Sequence, residues 1–138
     1  MSARTRFLGR LIGFYCVLVA LAMVTHRGAT VDAVNALVQN APLMFVIGVI
    51  VLAAALALVL GHNVWSGGAL PVVVTLVGWV ALGKALLILF LSPQAAPSFF
   101  LETLRYEQLF YVYAAVSFLL GAYLIYGASG KGAGLAAA

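Results

Sequence analysis

The chain has 138 residues, 66% of them hydrophobic and only 7% charged, with a net charge of +4 and a mean hydropathy of +1.20. A soluble domain runs at roughly 45 to 50% apolar and about 25% charged residues, so this composition excludes one and points to a membrane protein. Charges this few and this scattered also exclude a nucleic-acid-binding surface, and most of the length is used in crossing a bilayer.

The start, MSARTRFLGR, puts Arg4, Arg6 and Arg10 before an apolar run from Leu11 to Thr25 that Phe7 and Leu8 extend. Ala20, Leu21 and Ala22 form an A-x-A of the kind signal peptidase cuts, but the apolar run continues through Met23 and Val24. The expectation is therefore an uncleaved first transmembrane helix over about 7–25. Cys16, the single cysteine, lies within it and excludes an intramolecular disulfide and CxxC chemistry. Gly9 and Gly13 form a GxxxG, which marks close helix packing.

Residues 30–40, TVDAVNALVQN, place Val31, Val34, Leu37 and Val38 on one helical face and Asp32, Asn35 and Gln39 on the other. This spacing predicts a short helix lying in the outer interface. Pro42 suits the first turn of a second crossing over 42–60, which contains no polar side chain. The following turn, GHNVWSGGALP, is short and Gly-rich, so the second and third crossings are antiparallel neighbours. Gly61 is placed to stop the helix and Trp65 to anchor the interface, while His62 and Asn63 are placed to bond the helix end or the loop backbone.

The third crossing, 70–91, carries Lys84 among Leu, Val, Ile and Phe. Those residues, at about −0.3 to −0.6 kcal/mol each, outweigh a lysine penalty of roughly +3 kcal/mol, so the helix inserts. An ionisable group at membrane depth marks a candidate functional site. Because helical side chains lean toward the N-terminus of their helix, reaching the nearer, outer surface works against that lean. The expectation is that Lys84 faces neighbouring helices and meets Glu107, Tyr111 or Tyr113, with Asp32 and Glu102 as further counter-ions from the outer loops. Three roles remain open on these residues. Lys84 could lock helices together or snorkel, it could bind an anionic head group, small anion or partner carboxylate, or it could titrate in proton-coupled transport.

After SPQAAPSFF, Ser98 is placed to cap a new helix running unbroken from Phe99 to Tyr126, its membrane part over 106–126. Glu102 and Arg105 are spaced to pair locally, and Ser117 and Gly121 form a small-xxx-small pair. The rest, 127–138, reads as a flexible tail whose GK lacks the other residues of a phosphate loop.

These elements predict a single all-α domain over 1–138, an integral membrane bundle of four transmembrane helices plus a short outer interfacial helix. Arg4, Arg6, Arg10 and Lys131 against Arg27 and Arg105 put both termini on the cytoplasmic side. No cofactor or metal is expected: His26 and His62 end successive helices on opposite faces, too far apart to share a haem or metal, and no acid, base and nucleophile converge for catalysis. The expected function is a non-enzymatic structural or accessory membrane protein, partnered by lipids and by its own copies or a larger complex. The alternative is an oligomeric small transporter or channel in which Lys84 selects anions.

His62, Asn63 and Trp65, followed by Thr75, Gly78, Trp79 and Lys84, resemble a group of small uncharacterised bacterial membrane proteins with an HNxW turn and a T-x-x-GW helix followed by Lys. Ser66, Gly67 and Gly68 depart from the more polar or aromatic turn of that group. The resemblance implies a bacterial inner-membrane location and draws attention to the turn and to Lys84, without implying an activity.

Overall fold

A computed structural model describes residues 2–92, 95, 98–103 and 105–130. The described chain is helical: α1 (Ala3–Thr25), α2 (Arg27–Val38), α3 (Ala41–Gly61), α4 (Ala69–Phe90), a π-helical segment (Ser98–Thr103) and α5 (Phe110–Ala128). Of these, α1, α3, α4 and α5 are long and apolar enough to cross a membrane. The protein is a multi-pass, four-helix membrane bundle. The expected tail with Lys131 lies outside the described residues, apart from its first four positions.

Local chemistry sets the helix ends. Ser2 starts α1 by accepting the Thr5 N–H on its hydroxyl at 3.1 Å, so the helix takes in Arg4 and Arg6 and begins ahead of the apolar run. Asn40 does the same for α3, its Oδ1 accepting the Leu43 N–H at 3.1 Å, with Pro42 in the first turn where no N–H is needed. Gly67 and Gly68 enter α4 at φ 89° and 113°, conformations open to glycine and strained for other residues, which accounts for the Gly-Gly in this turn.

Antiparallel packing joins α1 to α5 and α3 to α4, in each case through glycine notches. A Cβ on Gly13 would lie 2.8 Å from the Gly121 carbonyl oxygen, and one on Gly121 would lie 2.7 Å from the Gly13 carbonyl oxygen. Gly9 faces Ala128 in the same seam, while in the other pair Gly48 receives Ile88 and Leu89 and Gly78 receives Leu58 and Val59. Lipid is as apolar as leucine, so close approach of this kind, and not hydrophobic exclusion, binds helices in a bilayer. The GxxxG of α1 and Gly121 are thus used within the chain.

The two pairs meet at the end where α1 begins and α3 ends, called here the basal end. Leu70 of α4 fills the space over Gly9 and Gly127, and joins Val74, Leu124 and Ala128 in a buried cluster. At the opposite, distal end α2 spans the two pairs. Arg27 at its start lies over the Phe110 and Tyr111 rings of α5, at 5.8 and 5.4 Å, and Val38 at its end packs with Met44 and Ile88 of α3 and α4. Its apolar face turns inward at Val31 and Val38, and Asp32 stays exposed.

The segment before α5 departs from expectation. The helix predicted from Phe99 to Tyr126 is interrupted: Ser98–Thr103 is π-helical, Arg105 takes φ 45°, and α5 begins only at Phe110. Arg105 turns the chain, and its carbonyl accepts the Leu109 N–H at 2.9 Å to close the loop. The Ser98 hydroxyl donates to the Ala95 carbonyl at 3.2 Å instead of capping a helix. Glu102 and Arg105 are both exposed, and no ion pair is present among the described residues. Tyr106 stacks on Tyr113 and meets Phe110 edge-on, and burial there pushes its phenol pKa up.

Candidate functional site

Two sites follow from the residues singled out above, the basal turn and the face of α4 around Lys84. In the turn, Thr75 is completely buried and works as a clasp. Its hydroxyl oxygen accepts the Val64 N–H at 3.0 Å, and the carbonyl oxygens of Val64 and Pro71 each lie 3.0 Å from it. The His62 carbonyl is more distant at 3.5 Å. With one proton, the hydroxyl donates to one of these carbonyls at a time. The turn is thereby tied to the second turn of α4.

Asn63 and Trp65 are exposed and bonded to each other, the indole N–H donating to Asn63 Oδ1 at 2.7 Å. His62 is buried, its backbone N–H donating to the Leu58 carbonyl at 2.8 Å. Its Nε2 has no hydrogen-bond partner among the described residues. The Arg4 guanidinium donates to the Gly61 carbonyl at 3.0 Å, bringing positive charge to the C-terminal end of α3. Because Arg4 is exposed, Arg4→Ala should lower stability by no more than about 1 kcal/mol, measurable by denaturant unfolding in mild detergent.

Lys84 is exposed and has no hydrogen bond or ion pair among the described residues. This corrects the expectation that it turns inward to meet Glu107, Tyr111 and Tyr113. Glu107 is exposed, Tyr111 is 59% exposed and edge-on to Phe110, and Tyr113 stacks against Tyr106 at 5.8 Å. The helix pairing explains the difference. Gly78 of α4 is taken up by α3 and Gly121 of α5 by α1, so the seam between α4 and α5 is confined to the basal cluster where Leu70 meets Gly127 and Leu124.

The direction in which Lys84 points follows from helical periodicity. At about 100° per residue it falls within roughly 40° of Leu70 and Val73 around the axis of α4. Those residues pack toward α1 and α5 at the basal end. By the level of Lys84 the same face has lost its neighbours. Around it Val80 is 72% exposed, Leu87 and Gly83 are exposed as well, and further toward the distal end Phe90 is 83% exposed. Nothing lies within 4 Å of a Cβ placed on Gly83, and a shallow groove of about 340 Å³ runs beside it, lined by Gly83, Leu86, Leu87, Phe90 and Leu91. The result is a single cation on a bare apolar helix face.

Thr75 is the structural residue whose role the sequence alone does not reveal. Its signal is a lone hydroxyl among Val and Leu one turn after Pro71, and only the fold shows which backbone it holds. Among the described residues no group of three or more His, Cys, Asp or Glu is placed to hold a metal ion. Comparison with protein-family models, curated proteins and solved structures returned no match.

Proposed function

We propose that this chain is a small non-enzymatic accessory subunit that works inside the bilayer through helix and lipid contacts, with the Lys84 face of α4 as its working surface. The observation that carries this reading is an exposed lysine, without a partner among the described residues, in a helix of membrane-spanning length and hydropathy. A charge in hydrocarbon is costly and is kept where it has something to bind. The four spanning helices take up most of the chain, which favours action through their lipid-facing sides.

The orientation proposed with this reading puts the basal end, with Arg4, Arg6 and Arg10, on the cytoplasmic side of a bacterial inner membrane. Anionic lipid at that surface would add attraction for the same arginines. Native mass spectrometry of gently solubilised wild type beside Lys84→Met tests the proposal. The wild type should carry a bound subunit or lipid that the variant loses. A strictly monomeric, ligand-free wild type in both mild detergent and nanodiscs would overturn it.

A further inference from the structure

We infer that the occupant of the Lys84 face is a transmembrane helix of a different protein carrying an aspartate or glutamate near the depth of Lys84. This inference rests on the accessory-subunit reading and names the chemistry of the partner.

Charge complementarity comes first. Lys84 lies six residues from the distal end of α4, about 9 Å at 1.5 Å per residue, and its side chain leans the other way, toward the basal end. A lipid phosphate at either surface is therefore poorly placed to meet it. A carboxylate within the membrane is well placed, and forming the pair relieves both partners of an isolated charge in hydrocarbon.

A second copy of this chain does not supply that group. The sequence has three acidic residues, and all of them fall outside the spanning helices: Asp32 on α2, Glu102 in the π-helical segment and Glu107 in the loop before α5. The carboxylate must come from another chain.

The steric surroundings fit a helix. Gly83 sits next to Lys84 with open space over it, so a partner backbone can come close, as backbones do at small residues in membranes. Val80 and Leu87, both exposed, offer side chains about one turn to either side that a helix would cover. The glycine notches of the α1–α5 and α3–α4 seams are already filled, and Gly83 is a glycine of α4 that is not.

The test is photocrosslinking in the membranes of cells that natively make the chain, with benzoylphenylalanine placed at Val80 or Leu87 in the full-length protein. The expected result is an adduct with one other protein, whose crosslinked peptide maps to a transmembrane segment containing Asp or Glu. That adduct should fall roughly tenfold in Lys84→Met, persist in Lys84→Arg, and fall equally when the partner's acid is changed to its amide. An adduct of twice the chain's own mass, or a partner span without an acid, would overturn this inference and leave the accessory reading standing. Lipid adducts alone, equal in wild type and Lys84→Met, would overturn both. Because Lys84 is exposed and makes no hydrogen bond or ion pair within the described chain, the variants should fold as the wild type does.

Discussion

Gly121→Leu should break the seam between α1 and α5 and lower stability by about 3 kcal/mol or more. The first added atom would sit 2.7 Å from the Gly13 carbonyl oxygen, 2.8 Å from Val17 Cγ2 and 3.0 Å from Cys16 Cβ. A backbone carbonyl cannot rotate away without disturbing its helix, so α1 itself must move, and overpacking of this kind typically costs about 1–3 kcal/mol and occasionally more. Gly78→Ala gives the contrast. The nearest atoms to its Cβ would be side-chain atoms of Leu58 and Val59, at 3.1 and 3.2 Å, which can shift by a few tenths of an ångström. Equilibrium unfolding in mixed micelles should rank Gly121→Leu far below Gly78→Ala. Equal losses would show that the α1–α5 seam is not set by its glycines.

Thr75→Val is the second large effect, because it keeps the side-chain shape and removes the clasp. The Val64 N–H loses its acceptor, and the Pro71 and Val64 carbonyls lose the donor they share. Stranding a buried or part-buried backbone donor costs about 1–3 kcal/mol. Hydrogen exchange at the Val64 amide should accelerate and the Asn63–Trp65 turn should become accessible to protease. Thr75→Ser, which keeps the hydroxyl, should stay near the wild type by both readouts. If Val and Ser behave alike, the hydroxyl is not what holds the turn.

How much of the fold is legible in the sequence differs between elements for physical reasons. The four crossings are legible because a bilayer demands about 20 apolar residues in a row, and α3 and α4 match their runs to within a residue at each end. Short α2 is legible through its alternating faces, though it starts earlier, at Arg27, directly after His26 ends α1. The interruption before α5 is not, since Phe99 to Leu109 contains no proline or glycine and the break depends on the left-handed backbone of Arg105 and on aromatic packing of Tyr106.

The expected site comes apart for a related reason. Depth and lean can place Lys84 along the membrane normal but not around the axis of α4. Its direction depends on which helices pair, and Gly13, Gly48, Gly78 and Gly121 look alike in sequence whichever neighbour they receive. The basal turn fares differently: His62, Asn63 and Trp65 are visible as a unit, and the buried Thr75 that anchors them becomes evident only from the fold.

A Lys84 that serves a surface outside its own bundle, as proposed, leaves the fold of the bundle independent of its charge. The unfolding free energy of purified Lys84→Met beside wild type, in one lipid-like medium, tests this most directly. A lysine turned away from the bundle predicts a variant equal to or more stable than the wild type, since an unpaired charge is removed and no hydrogen bond or ion pair among the described residues is lost. A loss of about 3–5 kcal/mol, the effect of breaking a buried ion pair, would place Lys84 among partners inside the chain and contradict the account.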